Sequence, residues 1–181
     1  MKKRSMLVVG FAFAVFMLVP AAGGATSGTQ TYELEMEVPN VAEAPNGDRV
    51  SVTGGGEFGI HPKFVEAEGE FTHTDSEGNL VAEGTWEATE LLAYQSYGCG
   101  VVLGDEIPAN FCGGKLKMRV LLTPEGTTLA IPAVLTVFCI IGPNPPTSHD
   151  DPSEEGVTLV VPGVINFNKI VGGMNVYIRT S

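Results

Sequence analysis

Positive charge is scarce in this chain: ten Lys and Arg stand against 21 Asp and Glu among 181 residues, a formal net charge of -11. Nucleic acids are held largely by Lys and Arg that neutralise phosphates, so this balance excludes them as partners. Helix is equally short of support. The 23 glycines and 12 prolines are spread along the chain and break helix interiors, and no window carries a helical apolar stripe longer than about two turns. Catalytic signatures are missing too. There is no Gly-x-Ser-x-Gly elbow, and Gly54-Gly55-Gly56 runs into a strand pattern rather than a helix and lysine, so it is not a phosphate loop. The three histidines, His61, His73 and His149, are too scattered for a zinc signature. Carboxylates are so plentiful that a pair at glycosidase spacing carries no information. No Asn-x-Ser or Asn-x-Thr triplet occurs, which excludes N-glycosylation. What is present is 44% hydrophobic and 17% charged, enough apolar side chain to offset the entropy of ordering, so the chain folds.

The first residues read as an address. Met1-Lys2-Lys3-Arg4 is basic, residues 6–19 (MLVVGFAFAVFMLV) are uncharged and apolar, and Pro20 and small residues follow. That order predicts a secretory signal peptide over residues 1–25, cut between residues 21 and 26. The apolar run is shorter than the roughly 20 residues needed to span a bilayer, and no cysteine follows it to carry a lipid. Removal leaves seven basic residues against 21 acidic ones, so the mature chain is nearer -14. Such a charge keeps a protein soluble and repels anionic surfaces. It also suits a salty habitat, where carboxylates hold hydrated cations. The expected location is outside the cell, or the periplasm where the host has an outer membrane.

Residues 26–181 read as one β domain with an acidic, proline-rich loop at 142–156. Tyr32, Leu34, Met36 and Val38 alternate with Glu33, Glu35 and Glu37; Val65, Ala67, Gly69, Phe71 and His73 alternate with Glu66, Glu68, Glu70 and Thr72. Ala82, Gly84, Trp86 and Ala88 alternate with polar residues in the same way, as do Leu116, Met118, Val120 and Leu122. This is the period of half-buried strands. Segments 129–141, 157–161, 164–171 and 174–179 are more continuously apolar and predict burial on both faces. Gly56-Glu57-Phe58, Gly69-Glu70-Phe71 and Gly84-Thr85-Trp86 repeat a glycine two residues before an aromatic, which places both on one face and marks a bend or the close approach of a ring. Turns at 75–78 and 124–126 connect the strands. The expected architecture is all-β, an antiparallel meander closing into a small barrel of about eight strands, with a two-sheet sandwich as the alternative. If residues 75–78 form the first of these turns, Gly69 faces Gly84, Phe71 faces Ala82 and Ala67 faces Trp86. On the outer face Glu70 then meets Glu83 and Glu66 meets Glu87, like charges that call for counter-ions, a cation or a basic partner.

Export places Cys99, Cys112 and Cys139 where disulfides persist. Cys99 and Cys112 lie in glycine-flanked loops able to meet the bridging geometry, and Cys139 lies in an apolar strand where a free thiol acts as a small hydrophobe. The pairing Cys99–Cys112 is therefore expected; the rival, Cys112–Cys139, leaves Cys99 free. His149, Asp150, Asp151 and Glu154 in the acidic loop have the hard oxygen-rich character calcium prefers, although the spacing matches no calcium motif and a solvated loop needs no ion. Phe71, His73 and Trp86 share the inward phase and are the candidate lining of a ligand site, with Trp86 in the core or floor. No other cofactor is expected.

The stretch from Gly54 to Leu92, with weaker likeness at residues 139–142 and 166–169, resembles small exported β-proteins, and in pattern is similar to calycin-like and dirigent-like eight-stranded barrels. That resemblance implies a barrel enclosing a small apolar ligand, or guiding the fate of a reactive one. Three functions follow in order. The first is a non-enzymatic exported barrel that binds a small apolar molecule or serves as an extracellular interaction module. The second is a surface protein that forms homo-oligomers through strand 133–141. The third is a cyclase-like enzyme working near Trp86 and His73.

Overall fold

A computed structural model describes residues 28–146 and 154–181; the expected leader lies outside them. The alternating segments form strands as their period predicts. In chain order these are β1 (Gln30–Glu43), β2 (Arg49–His61), β3 (Lys63–Thr74), β4 (Leu80–Cys99), β5 (Val101–Val102), β6 (Asp105–Glu106), β7 (Phe111–Pro124), β8 (Ile131–Cys139), β9 (Gly156–Val161), β10 (Ile165–Phe167) and β11 (Lys169–Arg179). All pairings are antiparallel. Nine strands run β10-β9-β8-β7-β11-β1-β2-β3-β4, and β4 pairs again with β7. Six strands, β1, β2, β3, β4, β7 and β11, thus close a ring, while β8, β9 and β10 extend from β7 and β5–β6 make a small separate sheet. The all-β antiparallel expectation holds, but closure takes six strands rather than about eight. The meander is broken because β7 changes neighbour along one edge. Phe111 and Cys112 pair with Ile178 and Tyr177 of β11, whereas Gly114 to Leu122 pair with β8.

The inner phase of the strands makes the core. Leu116, Met118, Val120 and Leu122 are all buried, with Lys115, Lys117 and Arg119 exposed between them. Trp86 is 2% exposed and its Nε1 donates to the Thr53 carbonyl at 2.9 Å. The glycine repeat explains how the indole fits: a Cβ on Gly54 would lie 2.8 Å from its Cζ2 and one on Gly69 2.7 Å from its Nε1. Toward one end, the rings of Tyr32, Phe58, Tyr94 and Tyr177 meet with centroids 4.9 to 5.5 Å apart, within the favourable range for aromatic pairs. Burial pushes the Tyr94 and Tyr177 phenols up. Both are held by carbonyls, Tyr94 OH donating to Gly113 O at 3.2 Å and Tyr177 OH to Val137 O at 3.0 Å.

Two expectations need correction. The β3–β4 register is shifted by two residues: Gly69 faces Trp86, Phe71 faces Gly84 and Glu70 faces Thr85. The loop is longer than a four-residue turn, because Asp75 N–H donates to Asn79 O and the Asp75 carboxylate accepts from the main chain of Glu77 and Asn79 and from the Asn79 amide. A bulge after His73 adds the rest. The Glu70–Glu83 opposition disappears, but Glu68 faces Glu87, Glu57 faces Glu66 and Glu33 faces Glu57. The later apolar strands are not buried on both faces throughout. Ala133, Leu135, Val137 and Cys139 point inward, but Leu129, Val164 and Val171 are exposed, Val164 by 75%. Leu129 and Val164 lie outside the strands, between β7 and β8 and between β9 and β10, and Val171 lies within β11.

The disulfide joins Cys99 and Cys112 as expected, across directly opposed positions of β4 and β7, and Cys139 is a buried free thiol.

Candidate functional site

Phe71, His73 and Trp86 share the inner face, and of the three Phe71 lines a groove of 460 Å³ with Gly84 and Pro124 that neither His73 nor Trp86 lines. Trp86 is committed to Thr53 and Phe71 is buried against Gly84. His73, near the end of β3, places Nε2 3.1 Å from Asp48 Oδ2 and sets its ring edge-on to Phe167 at 5.1 Å. Through His73 the β1–β2 turn, β3 and β10 meet. Of the expected calcium ligands, His149, Asp150 and Asp151 lie outside the described residues, and Glu154 is half-buried. Among the described residues no cluster of three or more His, Cys, Asp and Glu is arranged to hold a metal.

A buried polar group that pattern reading missed lies where β11 parts from β7. Asn40, Asn175 and Glu155 are 0%, 2% and 7% exposed. The Asn175 main-chain N–H donates to Glu155 Oε1 at 2.8 Å, and its side-chain Nδ2 contacts Asn40 Oδ1 at 2.9 Å, Phe138 O at 3.0 Å and Gly156 O at 3.3 Å. Asn40 in turn donates to Val38 O at 3.0 Å. Asn175 therefore satisfies backbone carbonyls at the Phe138–Gly156 end of the β8–β9 ladder, which is what buried carbonyls require. Gly173 is needed beside it, since a Cβ there would collide with Asn40 Oδ1. The Glu155 carboxyl is pushed up to about 7, chiefly by burial and against the pull of the Asn175 and Cys139 hydrogen bonds. Burial also pushes the Cys139 thiol up, with the Glu155 charge adding to it. Such a thiol is not a nucleophile. The signal available in the sequence was two asparagines in strand positions, Asn40 and Asn175; Glu155 looked like one more solvated acid of the loop.

The outer surface of the ring is carboxylate-rich. Glu33, Glu57 and Glu66 form a row across β1, β2 and β3, and Glu68 faces Glu87. Nearby cations are engaged elsewhere: Arg119 with Glu90 at 3.1 Å, and Arg49 and Lys169 with Glu43 at 2.9 and 2.8 Å. Those two hydrogen-bonded cations hold the Glu43 carboxyl below its ordinary value.

This surface is split. β3 and β4 pair only from Thr74–Leu80 to Glu68–Glu87. Beyond that point residues 63–67 stay with β2 and residues 88 onward stay with β7, and among the described residues the two facing edges form no ladder. Bulges between Ala88 and Glu90 and between Leu91 and Ala93 accompany the parting, since a bulge bends its strand. The opening holds a groove of 360 Å³ lined by Lys63, Phe64, Val65, Thr89, Glu90 and Leu91. A neighbouring groove of 440 Å³ lies over Glu66, Glu68 and Glu87. Lys63 Nζ reaches across the mouth to the Leu92 carbonyl at 3.3 Å.

Among the described residues no helix is long and apolar enough to cross a membrane. No family model matches the chain, and no curated protein or solved structure shows significant similarity to it.

Proposed function

We propose that the chain is an exported, disulfide-stapled β-protein that works through its outer surface as an extracellular interaction module. The observation that carries this reading is the filling of the ring. Trp86 sits against Gly54 and Gly69, and the four-ring cluster of Tyr32, Phe58, Tyr94 and Tyr177 occupies the adjoining space, while the grooves open on the outside between β3 and β4. Export is supported by the basic-apolar-small leader and by the Cys99–Cys112 bridge, a bond that persists in oxidising compartments. Self-association through strand 133–141 has less support, because β7 and β9 occupy both edges of β8.

Native mass spectrometry of the mature protein from its host's culture medium, with and without a calcium chelator, tests the reading. A mass equal to the disulfide-bonded chain, with no organic adduct, is expected. A retained organic molecule would overturn it in favour of a ligand carrier. Loss with chelator of a calcium adduct, one Ca2+ in place of two protons, would instead show bound calcium, for which the loop holding His149, Asp150, Asp151 and Glu154 is the candidate.

A further inference from the structure

We infer that the fork between β3 and β4 is a docking site for an extended, cationic peptide segment, which enters as an added strand. The inference rests on the outer-surface reading above and supplies its partner class. Main-chain N–H and C=O groups at an unpaired edge are a template for another strand. Here two such edges, residues 63–67 of β3 and 88–92 of β4, face each other without a ladder, with grooves between them and the Lys63 side chain reaching the Leu92 carbonyl across the mouth. A five-residue strand covers about 17 Å, and a strand seated between two others needs them about 9.6 Å apart.

Chemistry separates the two sides of the incoming segment. Val65, Ala67, Ala88 and Leu91 lie on the inner phase of their strands, with Ala67, Ala88 and Leu91 buried, and offer an apolar floor. Glu66, Glu68 and Glu87 are exposed on the outer phase and offer a carboxylate rim. Because side chains alternate along a strand, the matching segment alternates apolar residues facing inward with Lys or Arg facing outward. The charge argues against a second copy of this chain as occupant. At about -14 for the mature protein, two copies repel, and the rim sets glutamate against glutamate. Among the described residues Lys63 is the cation lining this groove, with Arg119 held on the lining Glu90, and Lys63 gives up the Leu92 carbonyl to the incoming N–H.

The test uses the mature chain, residues 26–181, and a labelled peptide of alternating valine and lysine, nine residues long. Its controls are the same peptide N-methylated at alternate backbone nitrogens and the protein variant Glu66→Gln/Glu87→Gln. Fluorescence anisotropy reports binding, and hydrogen exchange reports where. The expected result is binding that slows exchange of amides in residues 63–67 and 88–92 by about tenfold or more, is lost on N-methylation, and weakens about twofold to fivefold for each glutamate removed. Equal binding of the N-methylated peptide with no protection would overturn strand addition and leave only attraction to an acidic face. Absence of binding, or protection confined to other strands, would also overturn it. The carrier reading is separable: a clean adduct-free mass with a failed peptide experiment removes the fork alone, whereas a retained organic molecule removes the interaction module itself.

Discussion

Replacement of Glu155 by glutamine should abolish a pH dependence of stability that the parent chain carries through the neutral range. The carboxyl is 7% exposed and its value is raised from 4.5 to about 7. Cys139 and the Asn175 N–H contact it, and the nearby Glu37 adds like charge. A carboxyl whose value is higher folded than unfolded binds more protons in the folded state, so it costs nothing in acid and destabilises increasingly as pH rises from about 4.5 to about 7. Above that the penalty is level. At 1.36 kcal/mol per unit, the shift corresponds to roughly 3 kcal/mol at pH 8. Glutamine keeps an oxygen for the Asn175 N–H and carries no charge. Denaturant unfolding of both proteins from pH 4.5 to 8.5, disulfide intact, measures the difference. The two should coincide near pH 4.5, and the variant should become the more stable by roughly 3 kcal/mol at pH 8. Carboxylates that act the other way, such as the hydrogen-bonded Glu43 and Asp75, are common to both and cancel. A variant that tracks the parent at every pH, or that loses stability only above neutrality, would refute the assignment of a buried, proton-holding Glu155.

Other perturbations test the frame. Gly69→Ala drives a Cβ to 2.7 Å from the Trp86 ring nitrogen and into the Thr53 carbonyl, and should cost about 1–3 kcal/mol by unfolding, with Trp86 fluorescence shifted toward that of an exposed indole. Cys99→Ser opens the bridge across 13 residues of sequence separation and should cost about 3 kcal/mol. In the parent chain a thiol reagent should label one cysteine, Cys139, and only after unfolding. Tyr177→Phe removes a buried hydrogen bond to the Val137 carbonyl and should cost about 0.5–1.5 kcal/mol by denaturant unfolding.

Which residues face inward was readable because alternation is local. Leu116 to Leu122 in β7 and Ala67 and Phe71 in β3 took the faces their period assigns. What lies opposite each residue was not, because register depends on the loop. Counting residues 75–78 as the turn puts Phe71 against Ala82; the Asp75–Asn79 hydrogen bonds and one bulge move it to Gly84. The glycines were rightly read as admitting a neighbouring ring; at Gly69 it is that of Trp86, directly opposite on β4. The neighbour change along β7 depends on β11, more than fifty residues further on in sequence. The buried Glu155 escaped for a related reason: composition marks residues 142–156 as an acidic loop, and only the parting of β11 from β7 creates the enclosed space that takes one of those acids in.

The fork did leave a trace in the chain, in the spacing of apolar residues along β4. Trp86 and Ala88 keep the period of two, but the next side chains to reach the core, Leu91, Tyr94 and Tyr97, follow at intervals of three. A regular strand cannot skip a residue and keep its face; each slip costs a bulge, and each bulge turns the strand. The slips at 88–90 and 91–93 fall where β4 stops pairing with β3 while still pairing with β7. Keeping the β7 contacts is favoured because Met118, Val120 and Leu122 bury there, whereas the abandoned β3 edge carries Glu66 and Phe64 on its outward phase. The phase break in the sequence and the unpaired edge in the fold are thus one event. A change that removes the first phase break, by deleting Thr89, should extend the pairing of β4 with β3 past Glu87, narrow the groove and weaken peptide binding while leaving the Cys99–Cys112 bridge intact. Bound peptide at parental affinity in that variant would separate the docking surface from the fork.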